Sequence, residues 1–97
     1  MRGVRQGDGA RPGRGVRHRI EYVRGVKERI VAYRKEDPAG VDQIFDAINA
    51  LASDPRPRRA RPYGSSDVLR LPVGRYRLMY EVHDDVVTIT VFHIGNV

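Results

Sequence analysis

Three arginines stand between apolar residues in the stretch from Leu69 to Val82. A guanidinium group stays charged and can hold a phosphate at two points, so these residue types suit chemistry on a phosphodiester. An unpaired cation is costly to bury, but successive side chains of a strand point to opposite faces. We therefore predict a β-hairpin with one apolar face and one charged face. The apolar face would carry Leu69, Leu71, Val73, Tyr76, Leu78, Tyr80 and Val82, and the charged face Arg70, Arg75 and Arg77.

A second basic cluster precedes the hairpin. Arg58, Arg59 and Arg61 lie in a proline-rich loop with no acidic neighbour. Such a loop is either a solvated surface or, beside the hairpin arginines, a surface that follows a nucleic-acid backbone. Tyr63 follows this cluster, and it could stack on a base or anchor the loop.

His93 is the remaining candidate for proton transfer, because imidazole titrates near neutral pH. Strict alternation groups it with Val87, Ile89 and Val91, which favours a core-facing structural role over catalysis. His18 and His83 are not closely spaced with it, and there is no cysteine, so we expect no metal site and no cofactor.

The apolar spacing predicts the elements that must hold these residues in place. Alternation over residues 16–23 indicates a strand, and helical spacing follows from 23 to about 36. Asp37-Pro38 is typical of a helix start, since Asp can cap and Pro suits the first turn. The second helix then shows an apolar face and ends at the Asp54-Pro55 pair. That face carries Val41, Ile44, Phe45, Ile48, Leu51 and Ala52.

The remaining segments are a short turn after the hairpin and a last strand from Val86 to Ile94. The predicted order is β-α-α-β-β-β, an α+β fold with two helices on one face of a small, mostly antiparallel sheet. Residues 1–15 are rich in Gly and Arg without periodicity, which predicts a disordered basic arm before a domain at 16–97.

Composition narrows the classes of function. The chain has 97 residues, enough for one small domain, and a net charge of +6 at pH 7. This charge favours a nucleic acid or an acidic protein as partner. The lack of cysteine fits a reducing cytoplasm, and no apolar run is long enough to cross a membrane.

The hairpin from Leu69 to Val82 resembles the RelE/ParE toxin superfamily of bacterial toxin–antitoxin systems. The segment Ala50–Pro57 is similar to the end of a family helix and the loop after it. The segment Asp84–Val87, together with Val91–Gly95, is similar to the family's turn and last strand. The likeness covers residues 16–97.

The resemblance implies a toxin that is neutralised by a cognate antitoxin protein. Members of the RelE branch cut mRNA in the ribosomal A site without a metal, whereas the ParE branch inhibits DNA gyrase. By resemblance to RelE, Arg77 would contact the scissile phosphate, and Arg70 would lie beside it or near the attacking hydroxyl. His93 would be a general acid or base, and Arg58, Arg59, Arg61 and Arg75 would bind RNA.

The sequence departs from the family pattern at three places. Pro72 replaces a second basic residue and suggests an edge or irregular position, because proline cannot donate to a ladder. Arg75 replaces the acidic residue usual at the turn. Gly95 is followed by Asn96 and Val97, where many relatives have a basic residue and later a Tyr. The alternatives are therefore a ParE-like gyrase inhibitor, a degenerate toxin that only binds antitoxin, or a plain RNA-binding module.

Overall fold

The computed structural model describes residues 16–96, so the predicted basic arm at 1–15 lies outside the described residues. Five strands form one sheet in the order β1-β5-β4-β3-β2, with two helices inserted after β1. The elements are β1 (Arg19–Tyr22), α1 (Val26–Ala32, continued by a 3-10 turn at Tyr33–Lys35), α2 (Pro38–Ser53), β2 (Arg61–Pro62), β3 (Val68–Val73), β4 (Tyr76–His83) and β5 (Thr88–Asn96).

The second helix has the bounds that its end signals predict. Asp37 is the N-cap residue, and its side chain accepts a hydrogen bond of 3.0 Å from the Gly40 N–H. Pro38 occupies the first helical position, where its missing N–H costs nothing. The face that packs on the sheet is buried and consists of Gly40, Val41, Ile44, Ile48, Leu51 and Ala52.

The hairpin of β3 and β4 has the two faces predicted for it. Leu69, Leu71 and Val73 are buried, as are alternate residues of β4 from Tyr76 to Val82. Gly74 begins the two-residue turn with φ of 58°, a conformation that costs glycine little. Pro72 is an edge position as expected, because β2 pairs only with Leu69 and Arg70.

The predicted α+β architecture is confirmed. Both helices contribute to a single core that lies against one face of the sheet. β1 runs parallel to β5, and the other three pairings are antiparallel. Within residues 16–96, neither helix has the length and apolar composition needed to span a bilayer.

Five details differ from the sequence prediction. The strand expected at 16–23 is confined to Arg19–Tyr22, and α1 starts only at Val26, because Gly25 has φ of 88°. The short strand β2 was not predicted. The last strand begins at Thr88 and runs on to Asn96. Val87, predicted in the core, has φ of 49° and is 36% exposed, because it follows a 3-10 turn rather than a strand.

Candidate nucleic-acid interface

The face of the sheet opposite the helices carries a row of side chains that crosses four strands. Arg61 pairs with Arg70, Arg70 with Met79, and Met79 with His93. Side chains of directly paired residues lie on the same face and close together. Arg77 lies one row further along, paired with Pro72 on one side and Gly95 on the other. The sheet therefore brings Arg61, Arg70, Arg77 and His93 to one surface.

Two adjoining grooves open on this surface. The first has a volume of about 340 Å³ and is lined by Arg59, Arg61, Arg70, Pro72 and Arg77. We call its four arginines, Arg59, Arg61, Arg70 and Arg77, the arginine face. The second groove, of about 280 Å³, shares Arg70 and Arg77 with the first and extends to Tyr63, Met79 and His93. Four cations at one groove create a positive potential that attracts anions.

The charges of the arginine face are not neutralised by described side chains. None of the four arginines forms an ion pair with a residue between 16 and 96. No carboxylate from the described part of the chain lines either groove. Glu81 lies on the same face of β4, nearer the C-terminal end of the strand, where its Oε1 is 3.7 Å from Nε2 of His83. The arrangement has the charge and the openness of an anion-binding surface.

Two contacts fix parts of the arginine face. Arg59 Nη1 donates a hydrogen bond of 3.4 Å to the carbonyl oxygen of Pro72, which ties the loop to the edge of β3. The guanidinium carbon of Arg70 lies 5.8 Å from the centre of the Tyr63 ring, a cation–π contact. Arg59 and Arg70 are therefore held by a backbone carbonyl and an aromatic ring, which do not neutralise their positive charge.

His93 lies on the open face, so the prediction from alternation was wrong. Met79 pairs with His93, but the next residue, Tyr80, pairs with Val91, so Phe92 is an extra residue on β5. Such a bulge shifts the alternation by one, and His93 is exposed while Ile94 is buried. A side chain at Gly95 would place its Cβ 3.1 Å from His93 Nε2, so the imidazole sits over Gly95.

Arg58 and Arg75 do not line either groove. Arg58 is exposed in the loop before β2. Arg75 turns toward the start of α2, where its Nη2 lies 3.4 Å from Oδ2 of Asp37. The Tyr76 hydroxyl, then the Gly40 N–H and the charge of Arg75, lower the pKa of Asp37. The structure thus separates Arg75 from the other hairpin arginines.

Comparison with known proteins assigns this chain to a family. Residues 28–96 match the family model described as the ParE toxin of type II toxin–antitoxin systems, parDE. The chain belongs to this family. No curated protein sequence matches it.

Several solved structures share the fold of this ParE-family toxin. A chain of the archaeal RelE–RelB complex from Pyrococcus horikoshii OT3 matches with a TM-score of 0.69 and 20% identity, and the match covers 81% of this chain and 93% of that chain. A chain of the E. coli RelBE complex matches with a TM-score of 0.68 and 20% identity, and the match covers 82% of this chain and 96% of that chain. A YoeB/ParE toxin from Agrobacterium tumefaciens matches with a TM-score of 0.68 and 13% identity, and the match covers 81% of this chain and 98% of that toxin chain. At these identities the likeness establishes the fold.

Arg56 is a residue of this toxin that sequence reasoning missed. Its Nη2 lies 2.7 Å from Oδ1 of Asp67, and its Nη1 lies 3.3 Å from Oδ2 of Asp84. Its Nε donates a hydrogen bond to the Ser66 carbonyl oxygen. His18 Nε2 lies 3.0 Å from the same Asp84. The hydrogen bond with His18 and then the charge of Arg56 lower the pKa of Asp84. This network holds the segment between α2 and β3, which carries Arg59 and Arg61 of the arginine face, and only the fold brings its members together.

The histidines of the toxin stand apart from one another. His18 precedes β1, His83 ends β4, and His93 lies in the second half of β5. Between residues 16 and 96 no group of three His, Cys, Asp or Glu side chains could hold a metal ion. The side chains that line the two grooves offer guanidinium groups and, in the second groove, the imidazole of His93.

Proposed function

We propose that this toxin is a ribosome-dependent endoribonuclease that inhibits translation by cutting mRNA. The observation that carries the proposal is that Arg70 and Arg77 lie on one open face beside His93, without a neutralising carboxylate among the described residues lining the grooves. A phosphodiester bound there would meet two guanidinium groups and an imidazole. This set can perform phosphoryl transfer without a metal.

The reaction uses the 2′-hydroxyl of the RNA as nucleophile. Its oxygen attacks the adjacent phosphorus and loses a proton, while the bond from phosphorus to the 5′-oxygen breaks. The departing oxygen takes up a proton, so the products are a 2′,3′-cyclic phosphate and a 5′-hydroxyl end. The protein has to move these two protons and stabilise the extra negative charge on phosphorus in the transition state.

Each residue of the site suits one of these tasks. Arg77 contacts the scissile phosphate, as the resemblance to RelE implies; like Arg70 it borders both grooves, and its guanidinium group matches phosphate geometry. Arg70 adds a second positive charge to the same groove. Arginine rarely loses a proton, so neither is a general base. His93 is the proton-transfer group, and Arg59 and Arg61 bind flanking phosphates.

A cognate antitoxin is the second partner in this proposal. Two structural neighbours are toxins solved with RelB, and one RelE variant was solved with an antitoxin peptide. An acidic segment of an antitoxin laid across the arginine face would neutralise it and exclude RNA. The compartment that brings ribosome, mRNA and antitoxin together is the cytoplasm.

The family match itself favours an alternative. The model that matches residues 28–96 is named for ParE, and the ParE branch inhibits DNA gyrase instead of cutting RNA. A protein that retains the fold and binds only the antitoxin is the other non-nuclease form. In both cases the arginine face would serve a protein partner.

Mapping mRNA 5′ ends on translating ribosomes separates these functions. Induction of the toxin should produce cuts in phase with codons, and Arg77→Ala should abolish them. Arg34→Ala is the matched control, because Arg34 pairs with Asp42 on the helical side at 3.2 Å, away from the grooves. Growth arrest with intact mRNA and damaged DNA would instead favour gyrase inhibition. Absence of toxicity in a folded protein would favour the degenerate form that only binds antitoxin.

A further inference from the structure

The second groove has walls that differ from those of the first. The first is lined by four arginines and Pro72, whereas the second places Tyr63, Met79 and His93 beside the shared Arg70 and Arg77. An aromatic ring, a thioether and an imidazole are flat or polarisable groups, and such groups contact nucleobases well. The first groove, whose arginines suit a phosphate, thus adjoins a second groove whose flat or polarisable side chains suit a nucleobase.

Tyr63, which follows β2, is exposed to solvent, whereas the two tyrosines of the hairpin are not. Tyr76 and Tyr80 are buried, and their hydroxyl groups donate to Asp37 and to the Pro55 carbonyl. Tyr63 is 57% exposed, and its hydroxyl has no hydrogen-bond partner among residues 16–96. The core does not need its ring, and an exposed ring of this size is available to a ligand.

The position of the Tyr63 ring is nevertheless fixed. Its backbone N–H donates to the Val68 carbonyl oxygen at 2.8 Å, which extends the pairing of β2 with β3 by one residue. Because Arg61 and Tyr63 are two residues apart in this extended ladder, their side chains share the open face. The loop beyond Tyr63 is held by Arg56 through Ser66 and Asp67. The ring therefore stands beside Arg70 before any ligand arrives.

We propose that the second groove is a nucleobase subsite, in which an unpaired base of single-stranded RNA stacks on Tyr63. This inference rests on the proposed function, since it places the base next to the phosphate held by Arg70 and Arg77. The adjacency of the two grooves suits a nucleotide, because they share Arg70 and Arg77 and a base is linked to its phosphate through one sugar. Stacking on Tyr63 requires a base that is not paired, so the subsite selects single strands. It is tolerant of base identity, because every base offers a flat face.

The subsite can be tested by binding alone, without the ribosome. The ligands are a trinucleotide whose 2′-hydroxyl groups are replaced by hydrogen, so that it is not cleaved, and three versions that each lack one base. Chemical-shift titration of the full-length toxin at low salt gives the dissociation constants. We expect one abasic version to bind about ten- to a hundredfold more weakly than the intact trinucleotide, as loss of a stacked base does.

Two variants separate stacking from a structural role of Tyr63. Tyr63→Phe keeps the aromatic face and should bind both ligands as the wild type does. Tyr63→Leu keeps the apolar bulk, so it should lose affinity for the intact trinucleotide but bind the critical abasic version unchanged. This double-mutant cycle assigns the coupling to the ring and the base. Circular dichroism and thermal unfolding of each variant confirm that the fold is retained.

The possible failures are distinguishable. If the wild type binds the intact and all abasic trinucleotides equally, the subsite is wrong, although phosphate binding by the arginine face stands. If Tyr63→Leu weakens the intact and abasic ligands to the same extent, Tyr63 only supports the loop and the subsite is again wrong. If no trinucleotide binds, the subsite is wrong, whereas ribosome-dependent cleavage is decided separately by mapping mRNA 5′ ends on translating ribosomes.

Discussion

The hydroxyl group of Tyr76 donates a hydrogen bond of 2.8 Å to Oδ2 of Asp37, the residue that caps α2. The other carboxylate oxygen of Asp37 accepts the Gly40 N–H, and Arg75 approaches Oδ2 to 3.4 Å. One carboxylate therefore joins the β3–β4 turn to the start of the helix that covers the sheet. The same contacts turn Arg75 away from the arginine face.

This arrangement predicts a loss of stability in acid. The contacts from Tyr76, Gly40 and Arg75 lower the pKa of Asp37 below its ordinary value of 3.8. Because the pKa in the folded state is the lower one, the stabilisation is complete above the unfolded pKa and is lost as pH falls through the folded pKa. We expect Asp37→Asn, which retains a good cap, to show a smaller fall in unfolding free energy between neutral pH and pH ~2 than the wild type.

Urea unfolding at a series of pH values measures this difference. Tyr76→Phe removes the largest single cause of the shift, so its acid loss should lie between those of the wild type and Asp37→Asn. Equal acid losses in all three proteins would show that the carboxylate is not coupled to the turn.

The parts of the fold that the sequence predicted are those with local signals. Asp37 and Pro38 mark the start of α2 within two residues, and the alternation around Arg70 and Arg77 determines which hairpin face is open. These signals need only the residues beside them. The candidate phosphate site was therefore predictable as a pair of outward arginines on one hairpin.

The parts that were missed depend on partners far along the chain. The extra residue Phe92 is defined only by the pairing of β5 with β4, so alternation placed His93 in the core. The strand β2 has no strand-like composition, and it exists because Arg61 pairs with Arg70. Arg75 finds Asp37 only when the turn packs on α2. Register and packing, which local patterns do not encode, decide these contacts.

Gly40 provides a second prediction because of its contact with the cap. Replacing glycine by alanine inside a helix usually stabilises a protein by about 0.5–1 kcal/mol. A Cβ at Gly40, however, would collide with the carboxylate of Asp37. We expect Gly40→Ala to lower the melting temperature by a few degrees, because the cap and its bond to Tyr76 are displaced. In an Asp37→Ala background the same change should no longer destabilise, and equal effects in both backgrounds would exclude the collision as the cause.

A third prediction concerns the stability that is lost through charge repulsion within the arginine face. Arg61 and Arg70 are directly paired across β2 and β3, and like charges at such positions destabilise a sheet. We expect Arg61→Gln to increase the unfolding free energy by about 0.2–1 kcal/mol at low ionic strength. The gain should shrink in high salt, because salt screens the repulsion. Arg34→Gln, which removes the pairing with Asp42, should give no gain at low salt, and a gain there of the same size would show that net charge alone is responsible.

The Arg56 network predicts how firmly the Tyr63 segment is held. Each of its exposed ion pairs is weak alone, but one guanidinium group joins Asp67, Asp84 and the Ser66 carbonyl. We expect Arg56→Gln to accelerate hydrogen exchange of the Tyr63 amide about two- to tenfold, because the loop then opens more often. Amides in the centre of β4 should exchange as in the wild type. Arg19→Gln removes an exposed pair with Glu21 on β1, at the opposite edge of the sheet, and should leave the Tyr63 amide unchanged. An unaltered Tyr63 amide in Arg56→Gln would mean that pairing with Val68 alone holds the ring in place.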